Sequence, residues 1–171
     1  MKLRNIQIHN FRSVLDADIE AHDYMLLVGA NNAGKSTILN ALRAFYDDAK
    51  WTADDFPKAG VADNESWVQL KFRLDDDEWA GLADEYKEGV PDQSLTIRRY
   101  FKSDEKGRVQ KDQSNIFGFV NGQLSADLFY GAKNVGTAKV GQVLYVPALT
   151  TPAEQTKMSG PSPLRNMLNF L

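Results

Sequence analysis

The chain has 171 residues, of which 43% are hydrophobic, and its formal net charge is −3. This length predicts one domain or a little more, with enough apolar residues to build a core. The negative charge excludes a global attraction to nucleic acid, and the lack of cysteine excludes disulfide bonds and thiolate metal sites. The N-terminus has no signal-peptide core, and no apolar stretch approaches the ~20 residues that cross a bilayer. We therefore expect a cytoplasmic protein with no membrane partner.

The first part of the chain predicts three strands. Residues 2–9 alternate between apolar and polar side chains, and Val14 to Ile19 reads as a second, short strand. A turn at 21–23 then leads into the apolar run from Tyr24 to Val28, which predicts a buried strand.

The next segment carries the most specific motif of the chain. Gly29 to Ser36 fits the phosphate-loop pattern G-x-x-x-x-G-K-[ST] at every fixed position. Apolar residues follow at helical spacing, which predicts a helix from Lys35 to about Tyr46. A strand, a glycine loop and a helix in this order are the context that supports such a match. We therefore predict that the chain binds a nucleoside triphosphate.

The chemistry of the loop suits a polyphosphate. Gly29 and Gly34 allow main-chain N–H groups to approach the phosphates closely, and the following helix directs its N-terminus at them. We expect Lys35 to reach the β- and γ-phosphates and Ser36 to place its hydroxyl on Mg²⁺. Thr37 is interpreted as a packing or capping residue. The predicted nucleotide-binding residues of this segment are Gly29, Asn31, Asn32, Ala33, Gly34, Lys35, Ser36 and Thr37.

The two asparagines of the loop have different interpretations. Asparagine tolerates the left-handed backbone region better than other non-glycine residues, and we interpret Asn32 as turn chemistry. For Asn31 two interpretations stay open. It is either a turn residue as well, or its amide faces the γ-phosphate or the attacking water.

The remainder of the chain alternates between strands and polar segments. We predict strands at 66–74, 94–102 and 116–120, a helix from Asp75 to Glu88, and a polar turn from Asp104 to Asp112. Asn121 and Gly122 predict a tight turn. Gln142 to Val146 is expected to rejoin the central sheet, Thr150 to Pro163 to form a loop, and Leu164 to Leu171 to begin a helix. Because that helix stops without a cap, we expect an N-terminal fragment, or the ordered part, of a longer protein.

Two blocks of sequence resemble a known group of proteins. Residues 6–13, with Ile6, Ile8 and the run Asn10-Phe11-Arg12-Ser13, precede the loop motif of residues 29–37 as in the ABC-type ATPases of DNA metabolism, which include the SMC and RecF proteins. Within that group the chain most resembles the OLD (overcoming lysogenisation defect) family. Members of that family join an N-terminal ABC ATPase to a C-terminal Toprim nuclease, and several serve in anti-phage defence. Residues 143–149 and 162–164 are similar to the matching part of that family.

The resemblance implies a fold and a set of partners. The fold class is α/β, a P-loop NTPase of ABC type, with a mixed central sheet, an antiparallel β subdomain and flanking helices. Residues 1–171 would be the N-terminal part of the ATPase head, which binds ATP with Mg²⁺ and pairs head to head as a homodimer or higher oligomer. DNA is the implied partner of the full-length protein.

The resemblance also extends to two single residues. Arg12 would lie near the nucleotide, against base or phosphate, and the alternative is a solvated arginine just after an edge strand. Gln155 is the candidate for the Q-loop glutamine, which senses Mg²⁺ and the γ-phosphate, and the alternative is a solvated loop residue.

Catalytic parts of an ATPase are missing from the sequence. The acidic run from Asp75 to Glu78 follows a strand that alternates with polar residues, whereas a Walker B strand is near-continuously apolar, so we interpret the run as a solvated helix start. There is also no Leu-Ser-Gly-Gly signature and no Toprim-like acidic motif in a strand context. We therefore assign no catalytic residue, and we expect the full-length protein to be the ATPase.

Two other groups of residues were considered for function. The basic cluster could touch a DNA backbone, but we favour the outer face of a β-hairpin because the chain is acidic overall. His9 and His22 have no metal-ligand spacing, so we assign them no role. The basic cluster consists of Arg98, Arg99, Lys102, Lys106, Arg108 and Lys111, with Tyr100 and Phe101 among them.

Three rival functions stay open. The first is an SMC- or RecF-like DNA-repair ATPase without a nuclease. The second is a small P-loop kinase, although the strands before the phosphate loop argue against it. The third is an interaction module whose phosphate loop is vestigial.

Overall fold

A computed structural model of the chain describes residues 1–130 and 140–146. Residues Met1–Gly141 form one compact unit, and every helix and strand below lies in it. Six strands form one sheet in the order β2-β1-β3-β4-β5-β6, and each neighbouring pair is antiparallel. The strands are β1 Lys2–Phe11, β2 Val14–Glu20, β3 Ser66–Arg73, β4 Ser94–Lys102, β5 Ile116–Val120 and β6 Gln123–Leu128. The helices are α1 Lys35–Phe45 and α2 Asp76–Gly81, with 3-10 turns at Ala53–Asp55 and Asp84–Tyr86.

The core lies between one face of the sheet and helix α1. Alternation along the strands brings the apolar side chains to that face, and α1 covers them with side chains spaced three to four residues apart. The buried strand residues include Ile6, Ile8, Val68, Leu70, Phe72 and Ile97, and those of α1 are Thr37, Ala41, Ala44 and Phe45.

The opposite face of the sheet is polar and internally hydrogen bonded. Gln7 donates to Asp18 on β2 at 2.9 Å and accepts from Gln69 on β3 at 2.8 Å. Arg98 on β4 donates to Gln69 at 2.8 Å, and its guanidinium stacks on the Trp67 ring at 3.7 Å. This chain of contacts ties four strands together on the side away from α1.

Helix α1, strands β1 to β5 and the tight turn confirm the sequence predictions. The turn residues Asn121 and Gly122 both have positive φ, 51° and 74°, as a two-residue type I′ hairpin requires. The turn leads directly into β6, a strand that the sequence analysis did not name because its six residues alternate only weakly. An antiparallel sheet is therefore confirmed. A mixed sheet is not found in the part of the chain that the structure describes.

Two predicted elements were wrong. Residues Tyr24 to Val28 form no strand, and Tyr24, Leu26 and Val28 are 82%, 71% and 76% exposed. An apolar run becomes a buried strand only when neighbours pair with it on both sides, and this run is not part of the six-stranded sheet. Residues 142–146 likewise form no strand.

The helix predicted from Asp75 to Glu88 divides into two short pieces. Asp75 caps α2 and shares a capping box with Glu78, so the interpretation of the acidic run as a helix start is confirmed. After Gly81 the backbone becomes extended at Leu82 and Ala83. Tertiary burial explains the break, because this path brings Leu82 and the Tyr86 ring into the core against β5.

Within the described residues, no helix is both long and apolar enough to cross a lipid bilayer. Gln155, the loop predicted at 150–163 and the helix predicted at 164–171 lie outside the described residues.

Candidate functional site

The phosphate-loop motif forms a tight turn that ends at the N-terminus of α1. Asn32 and Gly34 have positive φ values of 67° and 89°, and the main-chain N–H of Ala33 donates to Ala30 at 3.2 Å. Asn32 therefore has the left-handed conformation that its turn interpretation requires. Gly34 occupies the position before α1 in the same region, where a side chain would be strained.

The Lys35 ammonium group lies over the start of the loop. Its Nζ donates to the carbonyl oxygens of Gly29 at 2.8 Å and Ala30 at 2.7 Å. These two contacts hold the positive charge beside the main chain that is expected to surround the phosphates. A lysine ammonium is a compact charge on a flexible stem, so it can leave carbonyl dipoles for a phosphate oxygen, which is a stronger acceptor.

The N-terminus of α1 is left open to an anion. Among residues 1–130 and 140–146, no side chain caps the helix, and its first turn contains no acidic residue. The first N–H groups of a helix have no partner within the helix, and the helix dipole adds partial positive charge at that end. Within the described residues, the first N–H groups of α1 therefore have no side-chain acceptor, and no acidic residue of the first turn offsets the helix dipole.

A cleft of about 590 Å³ lies over this helix N-terminus. It collects six of the predicted nucleotide-binding residues and one residue that the sequence analysis did not single out, Ser13. Gly29 and Ala33 lie close to each other in the loop, since a Cβ at Gly29 would lie 3.5 Å from the Cβ of Ala33. The lining residues are Ser13, Asn31, Asn32, Gly34, Lys35, Ser36 and Thr37.

Of the three hydroxyl residues that line the cleft, Ser13 and Ser36 are exposed and Thr37 is buried. Ser36 is exposed, so its hydroxyl can reach a ligand, whereas Thr37 is only 8% exposed and hydrogen bonds Ser13 at 3.2 Å. Burial of Thr37 agrees with its interpretation as a packing residue.

The donor set of the cleft fits one kind of magnesium site. Mg²⁺ keeps several waters and takes few protein ligands when phosphates supply the others, which a single serine hydroxyl satisfies. The described residues contain no group of three or more His, Cys, Asp or Glu side chains that could hold a metal without a phosphate.

Arg12 lies in the two-residue turn between β1 and β2 and is paired with Asp55. Its Nε donates to the Asp55 carboxylate at 2.6 Å, and its main-chain N–H donates to the Asp55 carbonyl at 2.5 Å. Burial raises the pKa of Asp55, but hydrogen bonds from Arg12 and Thr52 outweigh that effect and lower the pKa. The structure thus gives Arg12 an ion-pair partner that neither sequence interpretation included, and its contact with a nucleotide stays a prediction.

Four of the six basic residues of the cluster, Arg98, Arg99, Lys102 and Arg108, make internal contacts, whereas Lys106 and Lys111 are exposed. Arg99 donates to the Phe45 carbonyl at 2.8 Å and to Asp47 at 2.6 Å, at the C-terminal end of α1. The ammonium group of Lys102 lies 3.5 Å from the centre of the Phe56 ring. Arg108 donates to the Ser125 carbonyl at 2.6 Å. These contacts favour the hairpin interpretation of the cluster over a DNA-binding one.

His9 has a defined environment that its sequence spacing did not reveal. Its Nδ1 lies 2.6 Å from Asp16, its Nε2 lies 3.0 Å from Asp63, and its ring stacks on Trp67. Burial lowers the pKa of His9, but the hydrogen bonds and charges of both aspartates outweigh that effect and raise the pKa above 6.5. The partners come from β2 and from the loop before β3, so only the fold brings them together.

Comparison with known proteins places residues 1–138 in the sequence model of a family described as AAA ATPase domain. A protein of Methanocaldococcus jannaschii, described as uncharacterized protein MJECL44, is 43% identical over 58 residues. This stretch is 33% of the present chain and 18% of that protein, so the chain spans less than a fifth of the relative it matches.

Two matches to solved structures cover nearly the whole chain. One, from work on ATP-driven dimerization and DNA-stimulated activation of SMC ATPases, has a TM-score of 0.54 and 17% identity, and the match covers 99% of this chain and 98% of that one. The other, the recombination mediator RecF bound to ATP, has a TM-score of 0.45 and 16% identity over 98% of this chain and 38% of that one. At these identities the first comparison shows similarity of fold to the SMC ATPases.

Proposed function

The chain belongs to the AAA ATPase domain family, and from that premise we propose that the cleft over α1 binds ATP with Mg²⁺. The observation that carries the proposal is the position of Lys35, whose ammonium group lies on two loop carbonyls beside an uncapped helix N-terminus. A cation, free N–H groups and a helix dipole directed into one cleft are the features that bind polyphosphate.

Different residues of the loop would contact different parts of Mg-ATP. Main-chain N–H groups at the start of α1 would hold the phosphates, and Lys35 would exchange its carbonyl partners for oxygens of the β- and γ-phosphates. Ser36 would supply the single protein ligand to Mg²⁺, whose chemistry is to neutralise charge between the β- and γ-phosphates. Asn31, at the rim of the cleft, would face the γ-phosphate.

We propose that the chain supplies nucleotide binding and that hydrolysis needs further residues. None of the described residues that line the cleft is an aspartate or glutamate, the types that position an attacking water. Head-to-head pairing of two ATPase heads would complete the site, with the chain as the N-terminal part of each head. The likeness to an SMC ATPase fold supports this arrangement.

For the whole protein we propose an OLD-like ATPase that couples ATP to DNA cleavage, in the cytoplasm and in defence against phage. The sequence resemblance of residues 143–149 and 162–164 to that family supports it, whereas residues 6–13 and 29–37 support the wider group of ABC-type ATPases. The alternative is an SMC- or RecF-like DNA-repair ATPase without a nuclease, which the fold similarity to an SMC ATPase supports. A Toprim domain in the same polypeptide would favour the first, and a long heptad coiled coil the second. A small-molecule kinase would instead phosphorylate its substrate without a second head.

The proposed binding site is tested with Lys35→Ala, measured by calorimetric titration with Mg-ATP. A hydrogen bond to a charged group contributes about 1.5–3 kcal/mol, so the loss of the ammonium group should weaken ATP binding by about 10- to 100-fold. The free energy of unfolding should change by less than about 1 kcal/mol, because the two carbonyl groups are neutral and can hydrogen bond to water once the ammonium group is removed.

Lys58→Ala is the matched control, since Lys58 is exposed and does not line the cleft. This variant should bind ATP as the wild type does. Equal affinity of the wild type and Lys35→Ala, or no saturable binding by the wild type, would refute the proposed site.

A further inference from the structure

We propose that Ser13, on the turn between β1 and β2, is a further ligand-binding residue that donates a hydrogen bond to the α/β-phosphate end of the nucleotide. The inference rests on the proposed function of the cleft. Ser13 contributes to the lining from outside the loop and helix of the phosphate-loop motif. It is separated from Gly34 by twenty residues of sequence, and strand pairing brings the two together.

The turn that carries Ser13 is fixed by contacts of the residues on both sides of Ser13. Phe11, two residues earlier, is 1% exposed and pairs with Val14 across the turn. Arg12 is bound to Asp55 through both its main-chain N–H and its side chain. A residue between such fixed neighbours loses little conformational entropy when it binds a ligand, which is the condition for a useful contact.

The turn that carries Ser13 lies next to the phosphate loop. A Cβ at Gly34 would lie 3.4 Å from Cγ2 of Val14 and 3.8 Å from Oγ of Ser13, which are ordinary van der Waals distances. The hydroxyl of Ser13 therefore lies beside the residue whose φ of 89° shapes the loop.

The hydroxyl of Ser13 has capacity for a ligand beyond its contact with Thr37. The two oxygens are 3.2 Å apart, and one hydroxyl donates to the other. A hydroxyl is one donor and two acceptors. When the buried Thr37 donates, the exposed Ser13 accepts and keeps its own proton for an oxygen in the cleft. This arrangement satisfies the buried hydroxyl and directs a donor at the anion.

The position along the cleft indicates which phosphates Ser13 would contact. Lys35 lies at the start of the loop, on Gly29 and Ala30, and a phosphate-loop lysine reaches the β- and γ-phosphates. Ser13 instead lies beside Gly34 and Thr37, at the start of α1. The main-chain N–H groups of a phosphate loop hold the α- and β-phosphates. The contact is therefore made equally by ATP and ADP.

The experiment compares Ser13→Ala with the wild type for Mg-ATP and for ADP by calorimetric titration. Loss of the contact should weaken both by the same factor, about tenfold. A loss confined to ATP would overturn the assignment to the α/β-phosphate end. Unchanged binding of both would overturn the contact altogether.

A second pair of variants separates direct contact from support of Thr37. In a Thr37→Val background, Ser13→Ala should still weaken binding by the same factor, because the serine touches the ligand itself. If Ser13→Ala has no effect in that background, Ser13 acts only through Thr37 and the inference is wrong.

The outcomes also distinguish this inference from the proposed function. If the wild type binds ATP, Lys35→Ala loses binding and Ser13→Ala does not, only the role of Ser13 fails. If the wild type shows no saturable binding, both fail.

Discussion

Gly118 on β5 is the position where a single methyl group should disturb the core most clearly. A Cβ placed there would lie 2.3 Å from Cε1 and 2.9 Å from Cδ1 of Tyr86, and 3.3 Å from Cδ2 of Phe129. Non-bonded carbon atoms prefer separations of about 3.5–4.0 Å, so the Tyr86 ring must retreat by roughly 1 Å. Tyr86 and Phe129 are only 4% and 3% exposed, and their rings meet edge to face at 5.2 Å.

The magnitude follows from the two ways in which the core can respond. If Tyr86 repacks in place, overpacking costs about 1–3 kcal/mol. If the ring leaves the core, the loss of its burial costs about 1.5–3 kcal/mol, with about 1 kcal/mol more for the aromatic pair. Because the core takes the less costly response, Gly118→Ala should lower the free energy of unfolding by about 1–3 kcal/mol, a large fraction of a typical domain's stability.

Urea unfolding followed by circular dichroism measures the effect, with Gly81→Ala as the matched control. Gly81 is the last residue of α2, and a Cβ there meets no atom within 4 Å. The control should be neutral or stabilising by up to about 1 kcal/mol, because alanine has the higher helix propensity. The same glycine-to-alanine change should thus have opposite signs at the two positions.

A double-mutant cycle assigns the effect to the tyrosine ring. In a Tyr86→Ala background the added methyl group of Gly118→Ala finds space, so its cost should fall to well under half. The reasoning is refuted if Gly118→Ala unfolds within about 0.5 kcal/mol of the wild type, or if its cost is unchanged when the ring is absent.

Two further predictions concern charged side chains. The pKa of His9 is raised on folding, so its stabilisation is complete below about pH 6.5 and is lost as the pH rises through the higher folded-state pKa. The advantage of the wild type over His9→Gln in urea unfolding should therefore shrink from about pH 6 to about pH 8, and a constant difference would contradict the ion pairs with Asp16 and Asp63. Arg99→Met should lower the free energy of unfolding by about 1–2 kcal/mol, chiefly through the lost hydrogen bond to the end of α1, since the exposed carboxylate of Asp47 adds little. An Arg99→Met variant as stable as the wild type would show that this bond is replaced by water without cost.

The elements that could be predicted are those whose signal is local. Helix α1 follows from the helical spacing of Ile38, Leu42 and Phe45, and β3 follows from strict alternation over eight residues. Asn121 and Gly122 predict their turn because both readily adopt positive φ. Each of these signals comes from neighbours in sequence, so no knowledge of distant contacts is needed.

The elements that could not be predicted depend on distant partners. Tyr24 to Val28 has the composition of a buried strand, yet composition cannot supply the paired neighbours that make one. The helix predicted after Asp75 stops early because Tyr86 packs against Gly118, thirty-two residues later in sequence. No signal in the sequence marked Asp55 as a partner of Arg12, and this pairing appears only in the folded chain.

In the candidate site, too, some residues could be predicted from local sequence and others depend on tertiary contacts. The residues of positions 29–36 by themselves predicted the proposed phosphate site, because loop conformation, the reach of Lys35 and the start of α1 all depend on a few residues of chain. Only the tertiary structure decided that Ser13 lies in the same cleft, because the pairing of β1 with β2 and β3 and the packing of α1 on the sheet bring that turn to Gly34. Local sequence thus predicted the phosphate loop, and long-range packing placed Ser13 beside it.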